Sequence, residues 1–196
     1  MDLRSRTRES VRVQIAEVAF NVFAERGFDQ VTATEAAEAA GISRASFFRY
    51  FESKEDAVFV AQEELGAKIA ALLRARPAGE DAWTALRHSF DVVIGIYRES
   101  PSHALARLRL IRATPKLRAH QLERLDQWKV LIGAALAERL GLDRTDVRIE
   151  ALVAAAIGAL NAASSRWAAS DGADDLIELI DEAFGAIAGP FPHLGA

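Results

Sequence analysis

The chain has 196 residues and a formal net charge of −4, which suffices for one sizeable core or for a small domain joined to a larger one. Hydrophobic residues make up 51% and charged residues 27%, so a globular fold is predicted rather than disorder. The absence of Cys excludes disulfides and thiolate metal sites. The four His residues lie far apart, without the short spacings of a zinc site, so we expect no metal and no cofactor.

Two features indicate a cytoplasmic protein with no membrane partner. The first ten residues carry charges but no apolar stretch of the kind found in signal peptides. By sequence, no apolar run reaches the about 18 residues that a membrane span needs.

Helical patterns dominate the whole chain, and the alternation typical of strands is almost absent. An all-α fold is therefore predicted. Turn signals separate about nine helical segments, near residues 6–26, 33–40, 44–51, 53–74, 80–98, 102–113, 116–140, 144–169 and 173–188.

Capping patterns delimit the first segments. Gly27 is placed to end the first helix, because a left-handed C′ residue is usually Gly. Thr32 and Glu35 have the spacing of a capping box at the start of the second helix, and Ser53 with Asp56 repeats that pattern at the start of the fourth.

Two short helices joined by a tight turn at Gly41 predict a helix-turn-helix. Ser43 is the expected N-cap of the second short helix. Phe47 and Phe51 lie four residues apart and are expected to pack inward. The opposite face carries long cations and hydroxyls that suit base edges and phosphates: Arg44, Ser46, Arg49 and Tyr50.

An ordinary surface helix with a polar outer face would show the same pattern, and spacing alone leaves both interpretations open. Residues 1–60 carry eight Lys or Arg against ten Asp or Glu. If this region binds DNA, the local placement of charge must therefore be responsible.

The stretch Thr32–Glu55, with the preceding Phe23–Phe28, resembles the DNA-binding domain of the tetracycline-repressor (TetR) family. The resemblance extends over about residues 8–65. It implies a three-helix DNA-binding domain in residues 1–52, followed by a larger helical domain in 53–196 that binds an effector and dimerises.

The resemblance also implies a set of DNA contacts: Thr32, Thr34, Ser43, Arg44, Ser46, Phe48, Arg49, Tyr50 and Lys54. Phe48 stands where the family often has Tyr, so it lacks the hydroxyl for a phosphate but can touch a thymine methyl. Lys54 matches a phosphate-binding Lys. Arg4, Arg6 and Arg8 form either a basic arm that follows the DNA or a solvated tail.

The last two segments are expected to build the dimer interface, as in the family. Segment 144–169 carries small residues that allow a close helix partner: Ala151, Ala155, Gly158, Ala159 and Ala162. Segment 173–188 carries an apolar stripe formed by Leu176, Ile177, Ile180, Phe184 and Ile187. The alternative is that both helices only close the core of the monomer.

The helices between about residues 53 and 140 would enclose a small-molecule pocket if the family pattern holds. The candidate lining residues are Trp83, His88, Phe90, Tyr97, Trp128 and Asn161. Aromatic residues at helical spacing are also typical of plain core packing, and Asn161 within an apolar helix is expected to need a buried partner.

A basic cluster lies between the aromatic segments and comprises Arg107, Arg109, Arg112, Lys116 and Arg118. It is either a solvated face or a site for an anionic effector such as an acyl-CoA, with its tail in the apolar pocket.

The sequence thus predicts a homodimeric transcriptional repressor that a small hydrophobic or amphipathic effector releases from palindromic operator DNA. An activator or a ligand-independent architectural DNA-binding protein would have the same DNA-binding domain. A helical carrier of hydrophobic ligands would lack the DNA-binding face. An enzyme is not expected, because the chain has no phosphate-binding loop and no recognisable nucleophile motif.

Overall fold

The computed structural model describes the backbone of residues 3–188 and side chains from residue 6 to 188. The side chain of Arg4, all of His193 and the end of segment 53–196 lie outside the described residues. Within the described range every regular element is helical, which confirms the all-α prediction. The α-helices are α1 (Leu3–Arg26), α2 (Ala33–Ala39), α3 (Arg44–Tyr50), α4 (Lys54–Phe59), α5 (Leu65–Ala75), α6 (Ala82–Ser89), α7 (Asp91–Glu99), α8 (Pro101–Ala113), α9 (Pro115–Leu140), α10 (Val147–Ala169) and α11 (Leu176–Ala188).

Each of the nine predicted segments is present, and two of them are interrupted. Segment 53–74 is split by a 3₁₀ turn over Val60–Gln62, and segment 80–98 is split at Phe90. Beside the second break, the buried Ser89 hydroxyl donates a 2.7 Å hydrogen bond to the Leu86 carbonyl. Such a bond competes with the helical ladder. Neither break contains the Gly or Pro that would signal it in the sequence.

The first helix begins at Leu3, about one turn earlier than predicted. Arg6 and Arg8 therefore stand on a regular helix and are not part of a flexible arm. The stretch before Val11 has no Gly or Pro, so nothing in it interrupts helix propagation.

The chain folds into two compact units, with boundaries after Glu63, Leu108 and Gln121. The first contains the N-terminal part up to Glu63 together with Arg109–Gln121, and the second contains Glu64–Leu108 and the part that follows Gln121. The first unit is thus larger than the predicted segment 1–52, because α4 packs against α1.

Aromatic residues fill the core of the first unit. Phe20, Phe23 and Phe28 from α1 and the turn after it are almost fully buried, as are Phe47 and Phe59. The rings of Phe23 and Phe28 meet edge to face with centroids 5.1 Å apart, an arrangement that aromatic quadrupoles favour. This core supports the two short helices α2 and α3.

The second unit contains a close approach of α9 to α5. A Cβ atom built on Gly66 would lie 2.6 Å from Cδ1 of the Trp128 indole. Only a residue without a side chain fits there, so Gly66 is required by packing rather than by a turn.

Helix α10 is long and apolar enough to cross a membrane by length and composition, with a mean hydropathy of 1.4 over its best window. Half of that window is buried inside the protein. Buried residues such as Leu152, Ala156 and Leu160 recur along one side, and the helix packs against α11. The helix therefore belongs to the core of the second unit.

Candidate nucleic-acid interface

The predicted capping box at the start of α2 is confirmed. Thr32 Oγ accepts a 3.2 Å hydrogen bond from the Glu35 amide, and the Thr32 amide donates to Glu35 Oε2 at 2.9 Å. Arg26 at the end of α1 pairs with the same carboxylate. The Thr32 amide and then the Arg26 guanidinium lower the pKa of Glu35 to about 2.

The turn between α2 and α3 is a Schellman motif around Gly41. Gly41 has φ +70°, its amide donates to Glu38 O at 2.9 Å, and the Ile42 amide donates to Ala37 O at 3.0 Å. These two bonds satisfy carbonyls that the end of α2 leaves open. The positive φ explains why Gly stands at this position.

Helix α3 is fixed at its start and along its inner face. Ser43 Oγ accepts a 3.1 Å bond from the Ser46 amide, and the two hydroxyls are also 3.1 Å apart. Phe47 and Phe51 are buried, with ring centroids 4.8 Å apart. The predicted N-cap and the predicted inward pair are therefore both confirmed.

The outer face of α3 presents a cation stacked on an aromatic ring. Arg44, Phe48 and Arg49 are exposed, and Ser46 and Tyr50 are half-buried. The Arg44 guanidinium carbon lies 5.1 Å from the centroid of the Phe48 ring, within cation–π range. Phe48 keeps 40% of its surface exposed, which is unusual for so large an apolar residue.

Two further guanidinium groups flank Tyr50 at the end of α3. The guanidinium carbons of Arg49 and Arg8 lie 5.6 Å and 6.0 Å from its ring centroid. Two cations therefore lie beside the Tyr50 ring, although residues 1–60 are slightly acidic as a whole.

Lys54 was predicted to bind a phosphate, and the structure gives its ammonium other partners as well. Nζ donates to the carbonyls of Phe28 at 2.7 Å and of Val31 at 3.0 Å, and it lies 4.1 Å from the Phe28 ring centroid. An ammonium has three N–H donors, and these carbonyls take two of them. The side chain thus ties the start of α4 to the turn that leads into Thr32.

Sequence reasoning missed Arg12. Its Nε donates to the Tyr50 carbonyl at 3.2 Å, and its Nη1 donates to Glu63 Oε2 at 2.6 Å. These partners lie 38 and 51 residues away along the chain. Local spacing therefore carried no signal for the contact.

Most of the aromatic residues predicted to line a pocket lie together in the core of the second unit. Phe90, Tyr97 and Trp128 are buried. Trp83 is half-buried, and its Nε1 donates to the Phe184 carbonyl at 3.0 Å. Tyr97 stacks on Trp167 with centroids 5.6 Å apart. Each of these rings has a packing role in the structure.

The two polar members of the predicted pocket lie elsewhere. The His88 side chain is 41% exposed, and its Nδ1 lies 3.1 Å from Glu80 Oε1. Asn161 is exposed on α10, so the expectation of a buried partner was wrong. Its position follows helical spacing from Ala154 and Gly158, which are exposed on the same side.

The members of the predicted basic cluster differ in burial and belong to different units. Arg107 is 8% exposed and belongs to the second unit, where its Nη2 lies 3.3 Å from His103 Nδ1. The other four cations, Arg109, Arg112, Lys116 and Arg118, are exposed on the segment assigned to the first unit.

The two helices predicted to dimerise differ in what they leave exposed. On α10, Ala151, Gly158 and Ala162 are exposed while Ala159 is buried. On α11, the apolar stripe faces inward: Leu176, Ile180 and Phe184 are buried, and Ile177 and Ile187 are half-buried. The α11 stripe thus closes the core of the monomer, and α10 retains an outward face of small residues.

Among the residues that the structure describes, no group of three or more His, Asp or Glu side chains is arranged to hold a metal ion.

Two protein-family models match the chain. Residues 15–59 match "Bacterial regulatory proteins, tetR family", and residues 80–192 match "MftR C-terminal domain". The first match covers the helix-turn-helix described above.

Two relatives are similar over much of the chain. TcmR, an HTH-type transcriptional regulator of Streptomyces glaucescens, is 30% identical over 150 residues, which are 74% of this chain and 66% of TcmR. The second is a putative mycofactocin biosynthesis transcriptional regulator, MftR of Mycobacterium tuberculosis. It is 28% identical over 183 residues, which are 93% of this chain and 91% of MftR.

Solved structures share the fold. FadR of Thermus thermophilus, a TetR-family repressor in complex with lauroyl-CoA, aligns with a TM-score of 0.62 and 26% identity over 94% of this chain and 100% of FadR. FadR of Bacillus subtilis, in complex with stearoyl-CoA, has a TM-score of 0.64 and 20% identity over 91% and 98% of the two chains. The second likeness concerns the fold alone.

Regulators of this kind bind operator DNA, form dimers and are soluble cytoplasmic proteins. None of the matched domains or relatives is an enzyme. With its N-terminal and C-terminal parts both matched, this chain belongs to the TetR family and is a DNA-binding transcriptional regulator.

Proposed function

We propose that the protein is a homodimeric cytoplasmic repressor that a fatty acyl-CoA releases from a palindromic operator. The single observation that supports operator reading best is the outer face of α3. There Arg44 stacks on an exposed Phe48, and Arg8 and Arg49 flank Tyr50.

Each part of this face suits a different contact with DNA. Arg44 offers two parallel donors to the O6 and N7 atoms of a guanine, and Phe48 offers an apolar surface to a thymine methyl. Tyr50 with its two arginines suits a phosphate. The remaining contacts in the proposal are the hydroxyls of Thr32, Thr34, Ser43 and Ser46 and the third N–H of Lys54.

The proposed division of labour assigns DNA binding to residues 1–52 and effector binding with dimerisation to 53–196. A dimer is required because one recognition helix contacts few base pairs, and two must reach major grooves about 34 Å apart. The outward face of α10 supports dimerisation through that helix. Apart from the neighbouring residues and backbone of α10 itself, no residue that the structure describes has an atom within 4 Å of a Cβ built on Gly158, which leaves room there for a partner helix.

Two observations support an acyl-CoA as the effector. FadR of Thermus thermophilus, 26% identical to this chain, was solved with lauroyl-CoA. In this chain, the second unit combines a large apolar core with the buried Arg107. An acyl tail needs the apolar core, and a phosphate or thioester oxygen of the effector suits Arg107. Binding of the acyl-CoA would favour a conformer in which the spacing of the two DNA-binding domains no longer matches the operator.

The test starts from an operator selected out of a random-sequence duplex pool by the wild-type protein. We expect a palindrome bound specifically at physiological salt, and release of that duplex by lauroyl-CoA at micromolar levels. Laurate and free CoA serve as controls for the two halves of the effector. Arg107→Gln should weaken release, whereas Arg74→Gln, at a surface ion pair, should leave it unchanged.

Three results would contradict parts of this proposal. Binding without sequence preference that disappears as salt rises would contradict specific recognition of an operator. A selected operator that lauroyl-CoA does not release would remove the acyl-CoA effector. A reporter gene that falls rather than rises when this gene is deleted would make the protein an activator.

A further inference from the structure

Arg12 connects three segments of the first unit. It lies on α1, and its guanidinium reaches the C-terminal end of α3 and Glu63, the residue that follows the 3₁₀ turn. Nε donates to the Tyr50 carbonyl at 3.2 Å, and Nη1 donates to Glu63 Oε2 at 2.6 Å. Nη2 donates to the other oxygen of the same carboxylate, so the pair with Glu63 is bidentate.

The end of α3 needs such a partner. A helix leaves its last four carbonyls without an internal bond, and α3 has only seven residues. Phe51 follows in an extended conformation with φ −133°, so no left-handed glycine cap closes the helix. The Arg12 guanidinium supplies a donor to the Tyr50 carbonyl, and Nη2 of Arg8 supplies one to the Arg49 carbonyl at 3.4 Å. The positive charge of Arg12 is favourable at the negative end of the helix dipole.

Glu63 fixes the orientation of Arg12. A planar guanidinium held by both carboxylate oxygens can turn little, and the Phe51 ring centroid lies 5.6 Å from its central carbon. The Arg12 side chain is 17% exposed. Tyr50 carries the proposed phosphate contact, so a displacement of its carbonyl would move that contact directly.

A competing role exists, because Arg12 also lines an open cleft of about 580 Å³ together with Arg8 and Tyr50. In that cleft it could instead bind a DNA phosphate. Its geometry argues against this role. Nε, Nη1 and Nη2 donate to Tyr50, Glu63 and Glu9, which uses four of the five guanidinium N–H groups. A phosphate would have to compete with these two carboxylates in a cleft that is also lined by Glu52 and Asp56.

We propose that Arg12, held by Glu63, is a positioning residue for operator recognition that orients the C-terminal end of α3 without contacting DNA. This inference rests on the proposed function. It adds a residue outside the recognition face and predicts that specific binding depends on a contact between α1 and the segment preceding α5.

The salt dependence of binding separates positioning from phosphate contact. Each phosphate contact contributes about one unit to the slope of log K against log salt. We expect Arg12→Gln to weaken binding to the selected operator about tenfold, the effect of losing one charge-assisted hydrogen bond. Its slope and its affinity for poly(dI-dC) should remain those of the wild type.

The partner residue and a matched control sharpen the test. Glu63→Gln should weaken operator binding in the same direction, and the double variant Arg12→Gln/Glu63→Gln should be no worse than Arg12→Gln alone. Arg74→Gln removes an equally bidentate Arg–Glu pair in the second unit and should leave operator affinity unchanged.

Hydrogen exchange reports the positioning itself. In Arg12→Gln the amides of Arg44–Phe51 should exchange faster, while those of α10 keep the wild-type rate. A variant that fails to fold would lose protection in the whole first unit. In that case Arg12→Lys, which keeps the charge but not the bidentate geometry, takes its place and is expected to show a smaller loss of affinity with an unchanged slope.

Three outcomes overturn the inference. The first is a slope of log K against log salt that falls by about one in Arg12→Gln, with weaker binding to poly(dI-dC). The second is an unchanged operator affinity in Arg12→Gln and Glu63→Gln. The third is a loss of affinity in the double variant that equals the sum of the two single losses. All of them presuppose a wild-type protein that binds its selected operator. A wild-type protein without a selectable operator would contradict the proposed function instead.

Discussion

The two units use the same kinds of residue for different purposes. In the first unit, aromatic and basic residues stand exposed on α3, where Phe48 and Arg44 form an outward pair. In the second unit, Trp83, Phe90 and Tyr97 pack against other side chains of the core. Exposure therefore separates Phe48, for which we propose a contact with DNA, from the aromatic residues of the second unit, which pack within its core.

The largest effect expected from this contrast is on DNA binding by the exposed face of α3. Arg44→Ala/Arg49→Ala removes two exposed cations whose contacts with the Phe48 and Tyr50 rings lie at the surface. Operator affinity should fall about 100-fold or more, while the melting temperature should fall by no more than about 4 °C. Titration of the selected duplex and thermal unfolding would measure both quantities.

Arg144→Ala provides the matched control, because Arg144 is exposed in the second unit. It should leave operator affinity unchanged. If the Arg44/Arg49 variant bound the operator like the wild type, α3 would not be the recognition helix.

The opposite result is expected at Gly66 in the second unit, where a substitution changes packing and removes no charge. Gly66→Ala places a methyl group 2.6 Å from the Trp128 indole, so the ring must move or the helices must separate. We expect the free energy of unfolding to fall by about 1–3 kcal/mol. Urea denaturation followed by circular dichroism would measure it.

Gly95→Ala is the control for that change, since within the described part of the chain only the local backbone of α7 and the adjacent residues approach a Cβ built on Gly95. Because Ala is the better helix former, it should stabilise the protein by up to about 1 kcal/mol. Equal effects of the two substitutions would mean that the contact between Gly66 and Trp128 is not tight.

These expectations also show how far the sequence determines the fold. The capping boxes of Thr32 with Glu35 and of Ser53 with Asp56 are both present. These boxes and the turn at Gly41 were predictable because their partners lie three to five residues apart. The break at Phe90 was not, since it depends on the buried Ser89 bonding to Leu86. The exposure of Asn161 was missed because an apolar helix with small residues on every side does not reveal which face is covered.

The candidate site divides in the same way. The outward face of α3 follows from helical periodicity within eight residues. The contacts of Arg12 with Tyr50 and Glu63 join residues far apart in the chain, and those of Lys54 with Phe28 and Val31 bridge more than twenty residues. Only the tertiary structure brings these partners together.

Lys54 combines a structural role in the first unit with a proposed phosphate contact. The variant Lys54→Gln should distinguish the two roles. The loss of the ammonium leaves the carbonyls of Phe28 and Val31 short of a donor, so the first unit should be destabilised by about 1–2 kcal/mol. Lys68→Gln, at an exposed pair with Glu64, should cost less than about 0.5 kcal/mol.

A slope measurement on the same variant tests the other role. If Lys54 also binds a phosphate, the slope of log K against log salt falls by about one. An unchanged slope with lower stability would make Lys54 a purely structural residue of the turn before α2.

The smallest expected effect concerns the acid stability of the first unit. Glu35 has a pKa of about 2 in the folded protein, below the ordinary value of 4.5, because the Thr32 amide and the Arg26 guanidinium stabilise its charge. A carboxylate with a lowered folded pKa contributes stability above its unfolded pKa, and that contribution is lost as the pH falls through the folded pKa. The relevant window is therefore about pH 4.5 to 2.

Glu35→Gln isolates this contribution from the other carboxylates that titrate in the same window. The melting temperature of the variant should lie below that of the wild type near pH 7, and the two values should converge as the pH approaches 2. Glu38→Gln removes the same charge from the same helix and should change the melting temperature less. A difference between wild type and Glu35→Gln that stays constant from pH 7 to 2 would mean that the charge of Glu35 does not stabilise the junction of α1 and α2. The Thr32 hydroxyl would then hold the start of α2 alone.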